Sequence, residues 1–216
     1  MFSILSLIVI PLVASPMLPP PPVLGASGEA FAAWFAQHRT GFLIGNYLGI
    51  AAFIPGFVQL AVVAGRVRHH EGPSGWLGGL VLASGTFTYS VFGCSLAVFQ
   101  ALPFLLDPRS THAMLAMGTL ASVWFALDGL AAVPLVLAVG WATVATGALP
   151  RWFATMGWVV AALGVFMSIG ALVDQPAWLA GGGQATFAGF VGFFAWTLVL
   201  GVICVRERPP DDRAGP

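Results

Sequence analysis

Uncharged residues run along this chain in long blocks separated by short clusters of charge. Residues 40–65, 72–106, 129–150, 152–173 and 175–205 contain no Asp, Glu, Lys or Arg. About 20 apolar residues cross the hydrocarbon core of a bilayer, and one ionised side chain at its centre costs at least ~2.5 kcal/mol. Each block is therefore long and clean enough for a transmembrane helix, which predicts five spans. An earlier apolar run, Phe2 to Ala14, contains Pro11 and passes into Ser15, Pro16 and the tract Pro19 to Pro22. A secretory signal has a basic region ahead of its apolar core, and nothing basic precedes Phe2. The run reads as a sixth span, first in the chain, clipped at its start and reaching about Met17, with a signal peptide as the alternative. The expected fold is all-α: a six-span bundle forming one domain over residues 1–205, then a disordered cytoplasmic tail at 206–216.

Residues 113–147 complicate that picture, because as one helix they would extend roughly 52 Å against a hydrocarbon thickness of ~30 Å. The reading is an interfacial or re-entrant helix from about Thr111 to Phe125, leading into a span from about Gly129 to Thr146. Asp128 would stand at the junction and Pro134 early in the span.

Composition narrows the class. The chain is 58% apolar and 7% charged, against roughly 25% charged for a soluble domain, which excludes a water-soluble globule. Eight Arg and no Lys balance eight carboxylates, so no basic surface for nucleic acid exists. Cys94 and Cys204 lie inside apolar blocks, where a thiol acts as a small hydrophobe. Arg66, Arg68, Arg151, Arg206, Arg208 and Arg213 fall on one side of the expected topology, and only Arg39 and Arg109 on the other. Positive charge collects in cytoplasmic loops, which predicts both termini in the cytoplasm. Trp76 and Trp152 mark the expected inner boundary, while Trp34 and Trp178 fall in outer loops.

Helices associate in lipid by close packing of small residues and a few hydrogen bonds, so small residues should recur on contact faces. In the third span Gly79, Ala83, Thr86, Ser90, Gly93, Ala97 and Gln100 alternate steps of four and three. Gly45, Gly49, Ala52, Gly56 and Gln59 keep that rhythm in the second, and Gly157, Ala161, Gly164, Ser168 and Ala171 in the fifth. A seam of this period predicts left-handed, nearly antiparallel packing, with Gly45, Gly49, Gly56, Ser90, Gly93, Gly157 and Gly164 at the contacts. Counting along the second and third spans places Asn46 level with Gln100 and Gln59 level with Thr86. These polar residues are either interhelical hydrogen bonds or a polar pathway. Pro55-Gly56 is a candidate kink.

Asp128 is a carboxylate with long uncharged sequence on both sides, which makes it a candidate functional residue. Three roles are open to it: a cap on the helix starting at Gly129, a proton or solute site, or a metal ligand. Tyr89, Gln59 and Gln100 are the polar side chains that would accompany it. Glu29, His38, Arg39, Asp107, Arg109, His112 and Asp174 gather on the expected outer face, but no pair has the helical spacing of metal ligands. His69, His70 and Glu71 read as polar loop residues beside Arg66 and Arg68, suited to anionic headgroups. No Gly-x-Ser-x-Gly, phosphate loop, His-Glu-x-x-His or Cys-x-x-Cys occurs, and no histidine falls at mid-membrane depth for haem. No catalytic, cofactor or metal residue is expected.

A first span followed by an outer segment ending in His38-Arg39, a second span leading to Arg66–Glu71, and Leu149-Pro150-Arg151-Trp152 opening the fifth span form one pattern. With them the chain resembles a family of six-helix bacterial integral membrane proteins. The resemblance implies a multi-pass protein of a bacterial inner membrane, and no activity or site residue. Abundant Ala, Gly, Pro and Arg without Lys fits a GC-rich genome. Two functions follow as expectations. One is a non-catalytic membrane protein serving as accessory subunit of a larger assembly, its partners being the bilayer and other membrane subunits or copies of itself. The other is a small proton-linked carrier using Asp128 and the polar seam of the third span.

Overall fold

A computed structural model describes residues 22–73, 75–104 and 111–206, so the expected first span at 2–17 and the tail beyond Arg206 lie outside the described residues. The described chain is helical and without strands: α1 Gly28–Ala51, α2 Phe53–Glu71, α3 Leu77–Ala101, α4 Thr111–Thr146, α5 Arg151–Ser168 and α6 Gln184–Arg206. Short 3-10 turns extend α3 at Leu102–Phe104 and α5 at Ile169–Ala171. Five stretches are long and apolar enough to cross a membrane: Gly28–Glu71, Leu77–Phe104, His112–Thr146, Arg151–Ala171 and Gln184–Arg206.

The first of these is a bent rod made of α1 and α2. Ser27 opens it by accepting a hydrogen bond from the Ala30 N–H at 3.2 Å, the usual service of a serine N-cap. Pro55 bends it, having no N–H and a ring that crowds the carbonyl four residues back, at Ala51. The helix is therefore interrupted only at Ala52, which keeps right-handed backbone angles (φ −66°, ψ −16°) and still donates to the Leu48 carbonyl. Gly72 stops the rod at φ 78°, a conformation that favours glycine, and Pro73 follows. Residues expected in loops thus lie in helix: Glu29, Trp34, His38 and Arg39 in α1, and Arg66 through Glu71 in α2. No breaker interrupts either segment, and a continuous helix satisfies its own backbone.

Glu71 has a further duty. Its two carboxylate oxygens accept from the N–H groups of Leu77 and Gly78 at 2.7 and 2.9 Å, satisfying donors that the start of α3 would otherwise leave bare. The triplet His69-His70-Glu71 is accordingly a structural corner and not loose loop polarity.

The expected break before the fourth span is absent. α4 runs unbroken for 36 residues, with Asp128 in its middle and Pro134 inside it. At its far end Gly147 (φ 68°) returns its N–H to the Thr143 carbonyl at 3.0 Å, and Pro150 sets the extended backbone from which α5 starts. This tight link makes α4 and α5 antiparallel neighbours, and they form the most extensive helix pair of the fold. It also puts Thr146 and Arg151 at the end of the bundle that holds Arg66, Arg68 and Arg206, the arginine end. By length, the 44-residue rod and the 36-residue α4 reach roughly 66 and 54 Å, so both overshoot a ~30 Å layer at the opposite end.

Two cores result. The larger lies toward the arginine end and includes Leu60 and Val63 of α2, Val81 of α3, Ala132 and Val136 of α4, Phe153 of α5 and Trp196 of α6. The smaller joins the overshooting arms through Phe31, Phe35 and Phe42 of α1, Phe99 of α3, and Met114 and Phe125 of α4. Residues 172–183 fold back over this end by direct backbone contact. The Leu24 N–H donates to the Gly181 carbonyl at 2.8 Å. A Cβ placed on Gly181 would stand 2.6 Å from the Ser122 carbonyl oxygen.

Candidate functional site: a buried carboxylate at a helix crossing

α4 and α5 cross where two glycines meet. A Cβ on Gly129 would lie 2.5 Å from the Gly164 carbonyl oxygen, and one on Gly164 would lie 2.6 Å from that of Gly129. α6 closes on the same place through Gly189, whose missing side chain leaves room for Met167 of α5. Small residues thus draw the α4 and α5 backbones together and let α6 close over the Met167 side chain, the mode of association available where lipid supplies no hydrophobic drive.

Asp128 precedes Gly129 in this crossing and is only 3% exposed. It does not cap α4: the helix continues on both sides of it, so the N–H groups of Leu130 and Ala131 are already committed within the helix. The expected junction cap is therefore absent, since an ionisable residue in an apolar run does not itself end a helix. Facing it from α3 is Ser95, 1% exposed, whose hydroxyl interacts with the Asp128 carboxyl. The pair does not close a well-formed hydrogen bond, for both Asp128 Oδ1 and Ser95 Oγ are buried without a hydrogen-bond partner. Beside Asp128 is a cavity of ≈ 10 Å³ whose walls include Phe92 of α3, Met167 of α5, and Phe190 and Phe193 of α6. A volume of roughly 10 to 15 Å³ is the least that admits one water, and a water needs at least two polar partners.

The depth of the site follows from the helices. Gly164 lies thirteen residues beyond Arg151 on α5, roughly 20 Å from the arginine end, with about 10 Å of that helix remaining to Ala171. The carboxylate is therefore well inside the bundle and nearer the end covered by residues 172–183. Sequence reasoning missed Ser95, although it continues the buried face of α3 through Val81, Ser84, Thr88 and Phe92.

Tyr89, Gln59 and Gln100 stand elsewhere. Tyr89 is buried against the backbone of Gly56, stacks on Phe53 at 5.7 Å and meets the edge of Phe57. Gln59 reaches α6, donating to the Thr197 carbonyl at 2.7 Å; the expected neighbour Thr86 instead donates to the Leu82 carbonyl of its own helix. Gln100 accepts from Asn46 Nδ2 at 2.8 Å, and that amide also donates to the Leu96 carbonyl at 2.7 Å. Of the four candidates only Asp128 borders the cavity.

The glycines divide in the same way. Gly45 and Gly49 are buried on α1, Gly56 accommodates the Tyr89 ring, and Gly157 and Gly164 face α4. Ser90 is exposed, and a Cβ on Gly93 would meet only Phe53, at 4.0 Å. The inside of the α2–α3 hairpin is lined by Gly78, against Arg68 and the Ala64 carbonyl, and by Gly85, against Leu60.

Of the expected outer polar residues, Glu29 and His112 interact electrostatically, and the other described ones stand apart. His38 donates from Nδ1 to the Trp34 carbonyl and stacks on that ring at 4.6 Å; Arg39 lies over Phe104 at 5.7 Å; Asp174 contacts Gly25. Asp107 and Arg109 lie outside the described residues. Among the described residues no three His, Cys, Asp or Glu side chains are grouped to hold a metal ion. Compared with known proteins, the chain matches no family model, no curated protein and no solved structure.

Proposed function

We propose that the chain is a non-catalytic integral membrane protein that serves as an accessory subunit of a larger membrane assembly. In this reading it sits in a bacterial inner membrane with its C-terminus cytoplasmic, and residues 2–17 add a sixth span. The observation that carries it is the smallness of the cavity beside Asp128, ≈ 10 Å³, too small for any solute larger than water. The polar side chains support it too, because they are spent on fastening helices together, Asn46 to Gln100, Gln59 to α6, and Thr88 to the Ala131 carbonyl at 2.8 Å. Purification in native lipid followed by mass spectrometry of intact complexes is the test, and recovery of the lone chain from mild extraction would count against a subunit.

Orientation has its own test. With Cys94 and Cys204 replaced, single cysteines at the exposed positions His70 and Asp174 should label from opposite faces of intact cells, His70 from the cytoplasm. Labelling of both from outside would defeat the assignment. A second reading, a proton-linked carrier, is favoured by one observation, the partnerless Asp128 Oδ1 inside the bundle. Proton-coupled solute uptake by vesicles containing only this chain would replace the first reading with this one.

A further inference from the structure

We propose that Asp128 is a proton-binding site, its carboxyl holding one proton and remaining neutral inside the bundle at pH 7, with the Ser95 hydroxyl as its hydrogen-bond partner. The inference stands whether the chain is a subunit or a carrier, because it concerns what neutralises a buried acid.

An ionised carboxylate removed from water must find a cation or surrender its charge to a proton. Among the described residues no cation borders the site: the cavity is lined, besides Asp128, by Phe92 from α3, Val160 and Met167 from α5, Phe190 and Phe193 from α6, and small residues of α4, α5 and α6. None is titratable or charged, and Ser95, the further group facing Asp128 from α3, is neutral. Of the described arginines, Arg66, Arg68, Arg151 and Arg206 lie roughly 20 Å away along the helices, and Arg39, exposed on α1, lies over the Phe104 ring. A metal ion is a poorer occupant than a proton, since hard cations take about six oxygen ligands and the side chains here offer only those of Asp128 and Ser95. The proton balance is simple. A hydronium ion transfers its proton to a carboxylate oxygen, an O–H bond forms there, and water leaves. The neutral acid then has a donor as well as acceptors, and the two buried oxygens that now lack partners, Asp128 Oδ1 and Ser95 Oγ, complement each other directly or through one water in the cavity.

Infrared spectroscopy of the full chain in lipid nanodiscs at pH 7 decides the matter. The remaining described carboxylates, Glu29, Glu71 and Asp174, are not buried, so a buried-acid C=O band is assigned by its loss in the Asp128 variant. The parent protein should show one protonated-carboxyl C=O band that is lost in Asp128→Asn, and Ser95→Ala should shift its frequency by removing the partner. Absence of the band from the parent, or its persistence in Asp128→Asn, overturns the proposal. If Asp128→Asn does not fold, the parent spectrum and Ser95→Ala carry the test: a band left unmoved by Ser95→Ala removes Ser95 and with it the assigned site.

Discussion

In the smaller core helices are held apart by rings, and at the crossing of α4 and α5 they touch backbone to backbone. In the cluster that joins the overshooting arms, Phe35 and Phe42 have ring centroids 4.9 Å apart, Phe42 and Phe99 6.1 Å, and Phe99 and Phe125 5.7 Å. In the larger core, α4 contributes Ala131, Ala132, Ala138 and Ala142 and meets α5 at Gly129 and Gly164. The two solvents account for the difference. The arm of α1 turns Glu29, Gln37, Arg39 and Thr40 outward, a surface suited to water, where burying a large apolar side chain is worth ~1.5 to 3 kcal/mol. Further along, the outward residues are Ile54, Phe57, Val58 and Val62, a surface suited to lipid, where burying another leucine wins little and close approach of backbones takes over. A single rod thus passes between two regimes of core construction.

The largest effect should come from breaking the aromatic end. Phe35 is fully buried, so Phe35→Ala should cost ~3 to 5 kcal/mol of arm stability. Hydrogen exchange should rise in the first turns of α1 and α4 while α5 and α6 stay protected. Exchange rising equally throughout would mean that the two cores are one cooperative unit.

The glycine crossing should respond to addition where the aromatic core responds to loss. Gly129→Ala places a methyl against a carbonyl oxygen of α5 and should cost ~1 to 3 kcal/mol in detergent unfolding. Gly93→Ala, whose methyl meets only Phe53 at 4.0 Å, should be nearly silent. Equal losses from both substitutions would show that the contact face of α3 has been misplaced.

The smallest effect sharpens the claim that hydrogen bonds are secondary in the lipid-facing region. Gln59→Leu removes the bond to the Thr197 carbonyl and should cost about 0.6 kcal/mol, the average for such bonds between membrane helices. A loss above about 2 kcal/mol would place hydrogen bonding on a par with packing.

What could be read from the chain beforehand follows the same divide. Charge-free blocks located the helices that can cross a membrane, because the bilayer enforces that rule on any sequence. Counting residues along two spans set Asn46 level with Gln100, and the two side chains are bonded. The arms escaped because Glu29 and Arg39 resemble loop residues when judged by charge alone, whereas a helix past the edge of a bilayer tolerates them. On α3 the rhythm of small residues has a period but no phase: Gly78 and Gly79 are adjacent, and only packing shows that Gly78 and Gly85 face α2. Asp128 was visible as a carboxylate between uncharged runs, yet its surroundings come from three other helices and no local pattern announces them.

The link at residues 147–150 bears on how the protein is made. It joins the two helices with the closest backbone contact, so Gly129 and Gly164 come within reach of each other while α6 is still being synthesised. Contacts of low sequence separation form early and cheaply in entropy. The α4–α5 hairpin is therefore suited to insert into the bilayer as one piece, against which later segments assemble. A lengthened link would be felt first in biogenesis, as slower insertion and earlier degradation, before any change in the finished structure.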